Sequence, residues 1–188
     1  MPKNEARRCA WAKGEQMERY HDREWGVPTR DDRHLYEMLL LEAFQAGLSW
    51  AIILNKRENF RAAFDGFDAS KIAAYGEAKI ALLLQDAGIV RSRSKIRGAI
   101  QNARCFLDIQ KEFGSFAAYL YSFTGGKTVT NTTDEFATRT GLSDRMAGDL
   151  KKRGMAYMGS VTLYSYLQAV GVVNDHETTC LCYRQETF

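Results

Sequence analysis

The chain has 188 residues, of which 45% are hydrophobic, 12% aromatic and 26% charged. That composition excludes a disordered, collagen-like or low-complexity protein. Twenty-six Lys+Arg against 23 Asp+Glu leave a net charge of only +3, so a polyanion partner must be argued from where the charges sit. Two prolines, Pro2 and Pro28, leave everything beyond residue 28 free of helix breakers of that kind. Asp31-Asp32 opens a helical pattern to Ala46 that Gly47 stops, and Ser49 caps a second to about Phe64. Asp68 or Ser70 begins a short helix, and Glu77 to Ala87 forms another with Gly88 as its terminal glycine. Ser94 to Lys111 carries Ile96, Ile100, Ala103 and Leu107 at helical spacing, followed by a shorter segment, Ser115 to Phe123. Thr124 to Thr133 reads as a loop. Ser143 to Lys152, stopped by Gly154, and Ser160 to Val170 close the series. Strand alternation is scarce, so an all-α fold in a single domain over 1–188 is expected.

No apolar run nears the ~20 residues of a membrane span, and Met38 to Leu41 stops at Glu42. The first eight residues are charged and lack the apolar core of a signal peptide. A cytoplasmic, reducing location and no membrane partner are expected. There, four cysteines serve as metal ligands or packed thiols rather than as disulfides.

Four groups of residues could carry chemistry. Cys9, His21, His176 and Cys180 form a Cys2His2 set: His176 and Cys180, four apart, point the same way if helical, and Cys9 and His21 would join them from the other end of the chain. That is a closed zinc site stapling the termini, or else two unrelated thiols and imidazoles. Cys182, two residues further round, would point elsewhere. Glu42 shares a helical face with Leu35, Met38, Leu39 and Ala46, so a carboxylate sits on an apolar stripe. It is either a functional group or one half of a structural ion pair. Trp11, Tyr20, Trp25, Phe44 and Trp50 gather in the first 50 residues, where flat rings beside a carboxylate either pack a core or sandwich a heteroaromatic ligand. Arg91, Arg93, Lys95, Arg97 and Arg104 form a run without an intervening acid. Lys151, Lys152 and Arg153 precede a glycine-bounded turn, Gly154 to Gly159. A helix, hairpin and helix with free N–H groups and cations is a phosphate site, though such runs are also ordinary solvated faces.

The stretches Tyr20-His-Asp-Arg-Glu-Trp-Gly-Val-Pro28, Gln45-Ala-Gly-Leu-Ser-Trp50, Asp86-Ala-Gly-Ile-Val90 and Val173-Asn-Asp-His176 resemble the constitutive bacterial 3-methyladenine DNA glycosylase I family of the helix–hairpin–helix glycosylases. The resemblance runs from about Cys9 to Cys182. It implies a helix–hairpin–helix glycosylase-like fold of two helical lobes around a groove, with one structural zinc ion on Cys9, His21, His176 and Cys180 joining the N- and C-terminal segments. It implies action on double-stranded DNA containing alkylated adenine, hydrolysing the N-glycosidic bond of an extruded 3-methyladenine without a lyase step; a monomer is the default expectation. It places the pocket glutamate on Glu42, stacking rings on Tyr20 and Trp50, further pocket aromatics on Trp11 and Trp25, the wedge on Gly47 and Leu48, and the phosphate-binding turn on Lys151, Lys152, Arg153 and Gly159. The chain departs from the pattern at Met17, where a well-known member has tyrosine. Asn174 stands where the wider superfamily has a catalytic aspartate, with Asp175 one residue on. The alternatives are a zinc-stabilised DNA-binding or damage-sensing module without catalysis, and a zinc hydrolase with an open metal position.

Overall fold

The computed structural model describes residues 7–133, 135 and 137–183. Among them are nine α-helices: α1 (Glu15–Arg23), α2 (Asp32–Gln45), α3 (Trp50–Ala63), α4 (Ala69–Ala73), α5 (Glu77–Gln85), α6 (Arg93–Phe113), α7 (Phe116–Ser122), α8 (Gly141–Lys152) and α9 (Ser160–Ala169). Two short strands, β1 (Val129–Thr130) and β2 (Val173–Asn174), pair in parallel. None of these helices is long and apolar enough to cross a membrane.

Helix α2 is the hub, touching α3, α6, α7 and α9. Every residue from Leu35 to Phe44 is buried. A helix apolar all round is one enclosed all round. The single apolar stripe that helical spacing gives Glu42 is therefore corrected: no face of α2 there is wet. Two carboxylates interrupt this apolar run, and they differ in their partners. Glu37 accepts from Arg57 Nε and Arg61 Nη2, both at 2.7 Å, whereas Glu42 Oε2 is buried with no hydrogen-bond partner. Asp32, at the first turn of α2, accepts from the Phe116 and Ala117 amides at 2.8 and 2.9 Å, satisfying two donors that the start of α7 leaves open.

The boundaries of α2 to α9 follow the sequence reading closely, with local corrections, but α1 lies in a stretch for which that reading gives no element: Gly14 starts it without a side-chain cap. Asp68, not Ser70, caps α4, accepting from the Ser70 and Lys71 amides. Thr140 rather than Ser143 caps α8 in a reciprocal capping box with Ser143. Helix α5 ends at Gln85, and Gly88 belongs to a turn closed by its own N–H on Asp86 Oδ1 at 2.7 Å. The expected Thr124–Thr133 loop contains β1, which is held to β2 by Val129 N–H on Val172 O and Asn131 N–H on Asn174 O, both 2.9 Å. His176 and Cys180 lie in a turn beyond β2, not on a helix. Their side chains converge because the turn folds back, with the Cys180 N–H on Glu177 O at 2.7 Å.

The α8–α9 hairpin is pinned rather than merely linked. Asn102, buried in α6, donates to Ala156 O at 2.9 Å and accepts from its N–H at 2.7 Å. Gly154 (φ 93) stops α8 where a side chain would be strained.

Candidate active site and metal cluster

A cavity of about 310 Å³ is lined by Trp11, Met17, Tyr20, Trp25, Glu42, Gln45, Trp50, Ser165 and Gln168. Helix α1 brings Met17 and Tyr20, α2 brings Glu42 and Gln45, α3 opens on Trp50, and α9 supplies Ser165 and Gln168. All five sequence-predicted pocket residues meet there. The rings form a continuous wall, with Trp11 edge-on to Trp25 at 4.9 Å, Trp11 to Tyr20 at 6.4 Å and Tyr20 to Trp50 at 5.5 Å. Phe44 instead packs on Phe60 and Phe64 in the core. Met17 lines the cavity where an additional ring is absent.

Glu42 is 3% exposed, and burial without a compensating cation raises its carboxyl to about 8. The Trp50 indole N–H is likewise buried without a partner. The cavity thus holds one buried acceptor and one buried donor without partners, where buried polar groups are otherwise nearly always satisfied. Sequence reasoning missed Gln45, Ser165 and Gln168. The signal that exposed Glu42, a polar residue among apolar neighbours, is weaker at Gln168, because α9 also carries Thr162 and Ser165.

Beside the cavity, Cys9, His21, His176 and Cys180 are buried together, their ligand atoms all within 4.8 Å of one another. Cys180 Sγ lies 3.3 Å from His21 Nε2 and 3.5 Å from His176 Nδ1, and Cys9 Sγ lies 3.5 Å from His176 Nδ1. A tetrahedral zinc with its usual bond lengths spans S···N edges of about 3.6 Å, so the donor set fits such an ion. The outward nitrogens are also fixed: His21 Nδ1 meets Asp22 Oδ1 at 2.8 Å, and His176 Nε2 donates to Trp25 O at 3.1 Å. Arg8 grips Asp22 through Nε and Nη2 and holds its carboxyl down at about 2. Burial pushes the Cys9 thiol up to about 12, a cost that a cation would remove. The cluster does tie the ends of the chain: Leu181 N–H bonds Arg7 O at 3.0 Å, and Ala10 N–H bonds Glu177 Oε1 at 2.6 Å. Cys182 is nearer than expected, 3.9 Å from His21 Nδ1 on the outer side of the ring.

The basic clusters divide. In the Arg91–Arg104 run, Arg93 and Arg97 both pair with Glu77, at 3.0 and 2.7 Å, an acid that α5 supplies from outside the run. Lys95 donates to Phe44 O and Ala46 O at 2.8 and 2.6 Å, closing the end of α2, and Arg104 donates to Ala73 O. Arg153 is committed to Asp149 and Glu112 at 2.6–3.1 Å. Lys151 and Lys152 are exposed at the end of α8, and Gly159 precedes α9 with no side chain capping its first amides. Gly47 (φ 83) and half-buried Leu48 form the turn between α2 and α3, next to Trp50. Asp175 is buried and accepts from Asn131, Tyr164 and Gln168.

A helical scaffold with an aromatic cavity around a lone carboxylate, flanked by a Cys2His2 cluster, defines the class of protein. A family model described as methyladenine glycosylase matches residues 11–183, and the chain belongs to that family. It is 44% identical over 180 residues to DNA-3-methyladenine glycosylase 1 of Escherichia coli (strain K12), covering 94% of this chain and 96% of that one. A crystal structure of 3-methyladenine DNA glycosylase I superimposes with a TM-score of 0.91 at 45% identity, covering 95% and 100% of the two chains. A variant of 3-methyladenine DNA glycosylase I crystallised in complex with 3-methyladenine gives a TM-score of 0.92 at 31% identity, over 98% and 100%.

Proposed function

We propose that this chain is a DNA repair glycosylase that extrudes 3-methyladenine from double-stranded DNA and hydrolyses its N-glycosidic bond, as a single domain and without a lyase step. The observation that carries this reading is the unpartnered Glu42 carboxylate at the end of a cavity walled by Trp11, Tyr20, Trp25 and Trp50. Methylation at N3 makes adenine cationic while it is attached to sugar. A desolvated carboxylate favours that cation over neutral bases, and aromatic faces add cation–π attraction. Glu42 accepts from the amino edge of the base, while Tyr20 and Trp50, whose rings stand 5.5 Å apart and tilted by 50° without it, part to stack on its faces. The bond is already weakened by the charge, so recognition and extrusion supply most of what the enzyme must add. The base leaves neutral with the bonding pair, the anomeric carbon takes a hydroxyl from water, and the remaining proton goes to solvent.

Lys151 and Lys152 with the amides after Gly159 anchor phosphates along the duplex, and Gly47 and Leu48 fill the gap left by the base. One zinc ion on Cys9, His21, His176 and Cys180 would serve as a structural cross-link, because four protein ligands leave it no open position. The test is to incubate the protein with methylated duplex DNA and separate the products. Free 3-methyladenine and intact abasic strands support the reading. Lesion binding without base release would instead establish a damage-sensing module.

A further inference from the structure

Gln168 is one of three polar residues on the cavity, with Gln45 and Ser165, that the proposed function leaves unused, and the one whose amide is held by a buried carboxylate. Its backbone is fixed, with its carbonyl accepting from the Gly26 N–H at 2.9 Å. Its side-chain Nε2 donates to Asp175 Oδ2 at 2.5 Å. Asp175 is 2% exposed and also accepts from Tyr164 OH at 3.0 Å and from Asn131 Nδ2 at 2.6 Å. A carboxylate receiving from three donors allows the Gln168 amide one orientation, NH2 toward Asp175 and the oxygen away from it. No group among the described residues donates to that oxygen, and Gln168 lines the same cavity as Glu42.

We propose that Gln168, its amide orientation locked by Asp175, is a specificity-determining residue that presents a permanent acceptor to the exocyclic 6-substituent of the bound purine, admitting a 6-amino group and rejecting a 6-oxo group. This rests on the reading that the cavity takes an alkylated purine. Glu42 cannot make the distinction alone. With its carboxyl raised to about 8 by burial it adapts to what it faces, ionised and accepting opposite a cationic base, protonated and donating opposite a 6-oxo group. The Gln168 oxygen has no such freedom, because turning the amide round would leave two oxygens facing each other at Asp175. A 6-oxo purine therefore meets a lone pair it cannot pair with, and discrimination by a mismatched polar group is the strong kind.

Trp11, Trp25 and Trp50 all line the cavity, so tryptophan fluorescence reports base binding. The full-length protein is titrated with 3-methyladenine and with 3-methylhypoxanthine, which carries a 6-oxo group in place of the 6-amino group and, with it, one ring N–H. The wild type is expected to favour 3-methyladenine, and Gln168→Met is expected to reduce that preference about tenfold or more, with the melting temperature lowered by the lost donor to Asp175 but the protein still folded. Asp175→Asn, which frees the amide to turn, is expected to lower the same ratio with Gln168 in place. A uniform loss for both bases there would make Asp175 merely structural and overturn its positioning role. A wild-type ratio retained by folded Gln168→Met overturns the proposal. Should that variant not fold, Gln168→Asn, which withdraws the oxygen by one methylene, is judged by the same criterion. If the wild type binds neither base, it is the cavity reading that has failed, not the role of Gln168 within it.

Discussion

Replacing Glu42 by glutamine separates function from stability more cleanly than any other change in this chain. A folded-state value of about 8 against an ordinary 4.5 means that the native protein holds a proton that the unfolded chain has already released. Stability therefore falls as pH rises from about 4.5 to about 8, and no further above it. At about 1.4 kcal/mol per pH unit, the cost is about 2 kcal/mol at pH 6 and approaches an upper bound of about 5 kcal/mol above pH 8. The Glu42→Gln protein has no proton to lose there, and its cost of burying an amide is the same at every pH. The variant should therefore gain about 3 kcal/mol on the wild type between pH 6 and pH 8.5. Urea unfolding at the two pH values measures this directly, and parallel stability curves would refute the reasoning by showing that a cation or water compensates Glu42. Release of 3-methyladenine from DNA should drop 10- to 100-fold, the worth of a charge-assisted hydrogen bond of roughly 1.5–3 kcal/mol. Binding of undamaged DNA should stay near normal. Because the cationic lesion pairs with the ionised carboxylate, lesion affinity in the wild type should rise with pH up to about 8 and be flat in the variant. Full activity with marked destabilisation would mean that Glu42 is structural and that the site has been misread.

Lys151→Ala or Lys152→Ala should weaken binding to any duplex and reduce the slope of log affinity against log salt by about one, leaving the choice of base unchanged; a titration at several salt concentrations decides it. Arg153→Ala should behave differently, costing about 1–2 kcal/mol in chemical denaturation through its contacts with Asp149 and Glu112 while leaving the salt slope as it was. Chelation or Cys9→Ser should lower the melting temperature. It should also weaken binding of free 3-methyladenine, because the His176 ring donates to the Trp25 carbonyl and sits 4.7 Å from its indole. Metal content and base titration on the same sample test both effects, and undiminished base affinity after complete metal loss would confine the cluster to stapling the termini.

That last expectation marks where reading the chain alone falls short. Spacing and residue type make Cys9, His21, His176 and Cys180 a candidate ligand set, and the family resemblance completes it, but neither carries information on what lies beside the set. Read from sequence, the cluster stands apart from the chemistry. In the fold it forms the backing of the pocket: Trp11 is edge-on to His21 at 5.3 Å and Trp25 is edge-on to His176. Gly26 is required between them, since a Cβ there would lie 2.8 Å from His176 Nε2. Helices α2 to α9 were legible because glycines, caps and apolar periods are local features, whereas α1, started at Gly14 without a capping side chain, was not. The two-residue strands were not, since a pair such as Val129 and Val173 is a contact between distant parts of the chain with no period of its own.

The basic clusters show the same limit from the other side. A run without acids in sequence predicts free cations, yet Glu77 from another helix neutralises Arg93 and Arg97, and Lys95 closes the end of α2. What decides whether a charge is available to DNA is which other helix faces it, a property of the fold. By that criterion Lys151 and Lys152 survive as candidate duplex contacts and Arg153 does not. Glu42 follows the same logic in reverse. Glu37, five residues earlier on the same buried helix, is met by Arg57 and Arg61, while no arginine or lysine reaches Glu42 Oε2 among the described residues. Two carboxylates with the same sequence environment thus part company only in three dimensions. The one left without a partner faces the cavity, where a cationic base can become the counter-ion that the protein does not supply.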